Sequence, residues 1–238
     1  MNIALIGYGK MGKAIEQIAL EKGHKIVLKV DIDNAAHLTS QNLQNADVAI
    51  EFTGPASAVS NIKKCIDAGV PVVSGSTGWL NHFEEVKTYC NAHKSTLVYA
   101  SNYSIGVNLF FELNTYLAKL MDQYPNYNVL MEEIHHTQKK DAPSGTAITL
   151  AEQVLANIGR KKTWVNDPTT EEDELTIISK RIDPAPGTHS IKYTSLIDDI
   201  EIVHTAHNRV GFASGAVMAA AYAVGKKGIF SMKDVLGL

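Results

Sequence analysis

Cysteine is scarce in this chain of 238 residues: Cys65 and Cys90 are the only two. Neither lies in a C-x-x-C pair or at a zinc-ligand spacing, so a disulfide framework and a cysteine metal site are excluded. A reduced, intracellular chain follows. An excess of charge is also missing. Lys and Arg number 22 against 25 Asp and Glu, for a net charge of −3, and nothing basic points to nucleic acid or an anionic membrane. Lys161-Lys162 and Lys226-Lys227 are too short to count and read as solvated surface. Long hydrophobic runs are lacking as well. The longest, Phe212 to Val224, is interrupted by Ser214 and Gly215 and is too short to span a bilayer. The apolar start of the chain has no basic stretch before it and reads as a strand, not a signal peptide. No internal repeat or low-complexity segment is visible. What is there is an ordinary globular composition, 45% hydrophobic and 20% charged. Its length permits one large domain or two modest ones.

Periodicity predicts a regular alternation in the first hundred residues. "NIALIGYG" is an apolar strand ending in glycines. Lys10 to Lys22 is a helix with Met11, Ile15, Ile18 and Ala19 on one face, stopped by Gly23. Strands over 25–31 and 47–53 follow. Pro55 then opens a helix to Ala68, with Gly69 beyond its end. A strand at 70–75, a helix from Trp79 to His93 and a strand at 96–101 complete the series. Strands alternating with helices imply a doubly wound parallel sheet.

After Asn102 the rhythm changes. Ile105 to Gln123 is a long helix with Leu109, Leu113, Leu117 and Leu120 along one side. A strand at 127–137 and a helix from Ser144 to Ile158 follow. Strands at 174–182, 189–196 and 199–207 then succeed one another without helices, which predicts antiparallel pairing. The fold class expected is a Rossmann-type doubly wound domain plus an α+β domain with a mainly antiparallel sheet. The last helix, Phe212 to Lys226, is expected to return to the first domain.

"GYGKMG" places Gly7, Gly9 and Gly12 as G-x-G-x-x-G between a strand and a helix. The first glycine permits the tight turn, the second lets backbone approach a pyrophosphate, and the third lets helix pack on strand. Free N–H groups at the helix start favour the phosphates. Asp31 stands 19 residues past Gly12, at the end of the second strand, where a carboxylate accepts hydrogen bonds from an adenine ribose. That carboxylate repels a 2′-phosphate, so NADH is favoured over NADPH, although Lys10 could still reach a phosphate. "EFTGP" (51–55) and "SGSTG" (74–78) end the third and fourth strands, where a ribose and carboxamide would lie.

In "HHTQKKDAPSGTA", Ser144 is placed to cap the helix that follows, with Gly145 and Thr146 in its first turn. An anion such as a substrate carboxylate is stabilised there, and Lys139 adds a positive charge. Histidine titrates near neutrality, so His135 suits proton transfer. His135 and His136 are strand neighbours facing opposite ways, so one is the acid and the other holds a carboxylate or packs. Adjacent histidines do not share a face, and His204 and His207 diverge likewise, so no metal is expected.

The stretch from Glu133 to Ala147, E-x-H-H-x-x-K-x-D-A-P-S-G-T-A, resembles the signature of the 4-hydroxy-tetrahydrodipicolinate (dihydrodipicolinate) reductase family. "FTGP", "GSTG", "SNYSIGVN", "GTHSIKYTSLIDDIEIVHTAHNR" and "FASGAV" are similar to family segments in the same order. Family members often carry G-x-x-G-x-M-G where this chain has the shorter "GYGKMG". Several also carry a basic residue where Ile32 follows the ribose-binding acid, so NADH versus NADPH stays open. The resemblance implies hydride transfer from NAD(P)H to a cyclic dicarboxylate in diaminopimelate and lysine biosynthesis. It implies His135 as proton donor and Lys139 as the cation that binds a carboxylate and relieves developing charge. His136, Ser144, Gly145 and Thr146 would hold carboxylates. Gly7, Gly9, Lys10, Met11, Gly12 and Asp31 would line the cofactor, together with Thr53, Gly75, Thr77, Ser101 and Tyr103. A dinucleotide-binding domain over 1–103 and 210–238, and a substrate-binding and oligomerisation domain over 104–209, are implied. Hinges near 103 and 210, the latter beside Arg209, would let the domains close. A cytoplasmic homotetramer is implied too. A different two-domain NAD(P)-dependent amino- or hydroxy-acid dehydrogenase, or a module that only senses NAD(H), would share the glycine loop but has no reason to carry the histidine–lysine stretch.

Overall fold

Strand β1, Asn2–Ile6, buries four of its five residues, as a central parallel strand covered on both faces must. The computed structural model describes residues 1–238. The chain continues through α1 (Lys10–Glu21), β2 (Lys25–Val30), a 3₁₀ segment (Ile32–His37), α2 (Ser40–Leu43), β3 (Val48–Glu51), α3 (Pro55–Asp67) and β4 (Val72–Ser74). A second 3₁₀ turn (Leu80–His82) leads to α4 (Phe83–Ala92) and β5 (Thr96–Tyr99). Then come α5 (Ile105–Met121), β6 (Asn128–His135), α6 (Gly145–Asn157), β7 (Thr163–Val165), β8 (Glu174–Arg181), β9 (Gly187–Thr194) and β10 (Asp199–Ala206). Helix α7 (Val210–Ala223), β11 (Gly228–Phe230) and α8 (Met232–Leu236) finish the chain. Two compact units result: Met1–Ile105 with Arg209–Leu238, and Gly106–Asn208.

The first unit holds a six-stranded, all-parallel sheet in the order β11-β5-β4-β3-β1-β2. Strand side chains alternate between faces, and β1 shows the consequence. Ile3 and Leu5 join one core with Ile15, Ile18 and the alanines of α7; Ala4 and Ile6 join another with Ile62, Cys65, Trp79 and Leu97. Completely burying side chains such as Ile3 and Ile15 stabilises the fold by about 2–3 kcal/mol each. The helix expected over Trp79–His93 begins later, at Phe83, after the 3₁₀ turn. The edge strand β11 has three residues, too few to show a period. Cys65 and Cys90 are buried and unpaired.

The second unit holds a five-stranded sheet in the order β10-β9-β6-β8-β7. β9 pairs antiparallel with β10 and with β6, but β8 pairs parallel with both β6 and β7. The sheet is therefore mixed, and 174–181 does not pair with the strand after it. The reason is the helix between β6 and β7: a β-α-β connection returns the chain to its starting side, so the next strands run parallel to β6. One sheet face presents Val129, Met131, Ile191 and Tyr193 to α5 and α6. On α5 the buried face is Val107, Phe110, Asn114, Ala118 and Met121, while Leu109, Leu113 and Leu120 stay nearly half exposed. Both faces are apolar enough to satisfy the helical period. The choice is made by Asn114, whose amide donates to the Leu150 carbonyl (3.1 Å) and to Gln153 Oε1 (3.0 Å) on α6. No helix is long and apolar enough to cross a membrane.

Candidate functional site

In the first unit the chain passes from β1 out to β2 and back across to β3, so the sheet has its switch point between β1 and β3. A cavity of about 560 Å³ lies there, lined by Gly7, Gly9, Asp31, Ile32, Thr53 and Lys64 among others. Gly7 has φ +94°, and a Cβ on it would stand 2.0 Å from the Phe52 carbonyl oxygen. A Cβ on Gly12 would stand 2.2 Å from the Gly7 oxygen, so α1 packs directly on the loop. Gly9, just before α1, has nothing within 4 Å of the same position, which leaves backbone open to a phosphate. Lys10 is exposed and Met11 packs against the core. Asp31 follows β2; its carboxylate accepts from the Asn34 backbone while Asn34 Oδ1 accepts from Asp31 N at 2.6 Å. The residue at the ribose position is thus held by its own turn. This cradle fits a dinucleotide.

The loops after β3 and β4 are joined by a residue that sequence reasoning missed. Glu51 is fully buried. It accepts from Thr53 N (3.0 Å), Ser74 Oγ (2.6 Å), Ser76 Oγ (2.7 Å) and the Thr53 hydroxyl. Thr53, Gly75 and Thr77 ride on these two loops. Gly75 lies so close to the Phe52 ring that a Cβ would meet it at 2.2 Å. Ser101 is exposed beyond β5. Tyr103 differs from expectation: it is buried in the core, and its hydroxyl donates to the carbonyls of Ser74 (2.8 Å) and Val98 (3.1 Å). It braces β4 and β5 from inside, because an aromatic at that point is worth more to the core than to a surface.

In the second unit the histidine–lysine stretch wraps around another buried carboxylate. Glu133 and His135 are two apart on β6 and share a face. Glu133 Oε1 accepts from Ser179 Oγ (2.8 Å) and an Arg181 Nη2 (3.1 Å), and both its oxygens accept from Ser144 N at 3.1 Å. His135 Nδ1 lies 3.3 Å from Oε2. Burial alone would raise this carboxyl; the bonds from His135, Ser144 and Ser179 outweigh it and hold Glu133 well below the usual range. Across the sheet, His189 is the register partner of Glu133. Its Nε2 stands 3.2 Å from Ser144 Oγ, and burial, then the neighbouring His135, push its pKa down to about 4.

Ser144 caps α6 as expected, accepting from Ala147 N at 3.2 Å, with Gly145 and Thr146 in the first turn. Lys139 Nζ sits against both oxygens of Asp141, at 2.9 and 2.8 Å. Arg181 holds that loop, donating to the carbonyls of Asp141 (2.6 Å) and Lys139 (3.4 Å). His136 lies just past the end of β6, half-buried, with no hydrogen-bond partner at Nδ1. His135, Ser144 and Glu133 are thus brought into direct contact, and Arg181 ties the Lys139 loop to the same carboxylate.

Glu133, His135 and His189 also place three ligand-type atoms within 4.8 Å of one another. The carboxylate is already filled by N–H and O–H donors and faces a guanidinium, so the cluster is built as a hydrogen-bonded anion and fits a metal poorly. Of the residues missed, Glu51 carried a signal, an acid at the end of an apolar strand, since glutamate is rarely buried without partners; Glu133, beside Glu132 on β6, carried a weaker one in sharing a face with His135. His189 and Arg181 carried none, because only the sheet register brings them to Glu133.

Comparison with known proteins covers almost the entire chain. A family model described as dihydrodipicolinate reductase, N-terminus, matches residues 1–103, and one described as dihydrodipicolinate reductase, C-terminus, matches residues 106–236. The 4-hydroxy-tetrahydrodipicolinate reductase of Christiangramia forsetii is 52% identical over 236 residues, covering 99% of this chain and 98% of that protein. The enzyme of the same name from Neisseria meningitidis serogroup B is 32% identical over 234 residues, covering 94% and 84%. The dipicolinate-bound dihydrodipicolinate reductase of Paenisporosarcina sp. TG-14 has the same fold, with a TM-score of 0.75 at 23% identity over 97% of each chain. The glycine cradle, the Glu133–Ala147 stretch and these matches agree: the chain belongs to the dihydrodipicolinate reductase family.

Proposed function

We propose that this protein reduces 4-hydroxy-tetrahydrodipicolinate to tetrahydrodipicolinate at the expense of NAD(P)H, on the diaminopimelate route to lysine. The observation that carries this is the assembly around Glu133: an imidazole, a capped helix start and a lysine loop, all organised by one buried carboxylate. The bound nicotinamide supplies the hydride. Gly7, Gly9, Lys10, Met11, Gly12 and Asp31 hold the dinucleotide, with Thr53, Gly75, Thr77 and Ser101 toward the nicotinamide end. Asp31, followed by Ile32 and not a base, favours NADH. Lys139 leaves Asp141 to pair with a substrate carboxylate, and Ser144, Gly145, Thr146 and His136 hold carboxylate oxygens. His135 donates the proton that neutralises the electron density built on the ring by hydride addition.

The sheet face opposite α5 and α6 presents Leu130, Ile134, Ile178 and Val203 between charged neighbours, which suits assembly into a homotetramer. The setting we assign is the cytoplasm, where both cysteines stay reduced. The test is steady-state oxidation of NADH and NADPH with and without the cyclic dicarboxylate. Oxidation should require it. His135→Gln and Lys139→Ala should each lower turnover by at least about a hundredfold while the protein stays folded. Near-wild-type rates in either variant would remove the role assigned to that residue.

A further inference from the structure

An imidazole that gives up a proton needs one nitrogen held by the protein and the other left open. The surroundings of His135 divide in this way. Nδ1 faces Glu133, 3.3 Å from Oε2, near enough for a hydrogen bond although none is formed in this structure, and it has no other partner. Nε2 faces Gly187, the first residue of β9: a Cβ built there would sit 3.1 Å from Nε2 and 3.3 Å from Cδ2. Any side chain at 187 would press on the ring edge that must reach a substrate. Glu133 is immobilised by three donors from two segments, Ser144 N at the α6 cap and Ser179 Oγ and Arg181 on β8, so its Oε2 presents a fixed acceptor. His189 stacks edge-on to His135 with ring centres 5.1 Å apart. Its Nε2 is engaged with Ser144 Oγ, so it does not compete for the Nδ1 side.

We infer that Glu133 and Gly187 are positioning residues for His135: Glu133 accepts the Nδ1 proton and so fixes the tautomer, and Gly187 keeps Nε2 clear for proton delivery. This rests on His135 being the proton donor. The imidazolium breaks its Nε2–H bond as the proton goes to the reduced ring. It is left as the neutral Nδ1–H tautomer, still bonded to Glu133, and water returns the proton to Nε2. The same carboxylate holds Ser144 N, so the orientation of the acid and the position of the helix start are set together.

The substitution Glu133→Gln makes a sharp case. The carbonyl oxygen of the new amide must take the Oε1 place, where Ser144 N, Ser179 Oγ and Arg181 all donate. The NH₂ then faces His135 Nδ1 and donates to it, which drives the proton to Nε2.

The experiment is ¹⁵N solid-state spectroscopy of the full chain, labelled at its nine histidines, at a pH where His135 is neutral. His135 is assigned as the signals missing from His135→Gln. Expected are an Nδ1–H tautomer in the wild type, an Nε2–H tautomer in Glu133→Gln, and kcat lowered about ten- to a hundredfold in that variant. Gly187→Ala should lower kcat similarly while keeping the Nδ1–H tautomer and the KM for NADH. An Nε2–H tautomer in the wild type, or full kcat in Gly187→Ala, overturns the inference. Both readouts stand if Glu133→Gln fails to fold. Full activity in His135→Gln would instead overturn the proton-donor assignment beneath it.

Discussion

Lowering the pH from 7 to 4 should destabilise this protein through His189. The ring is buried, with Glu133 and Ser144 on one side, His135 edge-on and His204 opposite it on β10. Burial, then the charge of His135, hold its pKa near 4 instead of the usual 6.5; Glu133 pulls the other way, and His204 and Lys139 add to the depression. The sign follows from proton counting. Between about pH 6.5 and 4 the unfolded chain has taken up the proton and the folded chain has not, so stability falls as the pH falls through that window and levels off below it. At about 1.4 kcal/mol per pH unit, the gap between 6.5 and 4 gives about 3 kcal/mol. Glu133 stays charged in the folded protein, but an unfolded glutamate takes up its proton near pH 4.5, so Glu133 adds to the loss at the acid end of the window in both proteins and cancels in the comparison. His204 is also depressed by burial and adds a slope of the same sign, which is why a variant is needed to isolate His189. His189→Gln keeps a polar atom near the Nε2 position beside Ser144 and removes the titrating ring. Urea midpoints of both proteins at pH 7, 5.5 and 4, at one protein concentration, give the comparison. The wild type should lose about 3 kcal/mol more than the variant between pH 7 and 4. Two stability curves that stay parallel over that range would refute the reasoning.

Other outcomes follow from single contacts. Asp31→Ser removes the charge that opposes a 2′-phosphate, so the ratio of kcat/KM for NADH over NADPH should fall at least about tenfold; an unchanged ratio would separate Asp31 from coenzyme choice. Glu51→Ala leaves the Thr53, Ser74 and Ser76 hydroxyls without their acceptor and Thr53 N with Ser76 Oγ alone, and should cost about 3 kcal/mol in thermal or urea unfolding. The KM for NADH should rise about tenfold with it, and wild-type values of both would show that the loops are held by something else. Val203→Arg puts a charge on the outer sheet face, on the edge strand β10 beside Ser190 of β9. Light scattering should then report a smaller particle, and an unchanged mass would place the interface elsewhere.

What could be read from the sequence was whatever is local. The glycine loop, Asp31 at the end of its strand, the Ser144 cap and the spacing of His135 to Lys139 are each contained within a few turns of chain, where period and turn chemistry decide. The residues that complete both sites are not local. Glu51 meets Ser74 across 23 positions, Ser144 meets His189 across 45, and Glu133 meets Arg181 across 48. These partners are defined by sheet register, and register was where the reading of the second unit failed: β8 joins β6 in parallel, which is what carries Arg181 to the Glu133–His135 edge. The exposed leucines of α5 were ambiguous for a related reason, since a helix apolar on two faces is oriented by what it meets.

The two glutamates share one physical logic. Each is a carboxyl on the buried face of a strand, a costly placement unless hydrogen bonds surround it. Each recoups that cost by collecting donors from separate segments, so that the segments bearing the functional groups cannot move independently. Glu51 binds the loops of Thr53 and Ser76 to each other; Glu133 binds the α6 cap to β8 and faces the proton-donor ring. Neither needs to touch a reactant to matter. Removing one leaves its donors buried and unmatched, so its loss should damage geometry before chemistry. The discriminating readout is therefore a tautomer or a coenzyme KM and not activity alone.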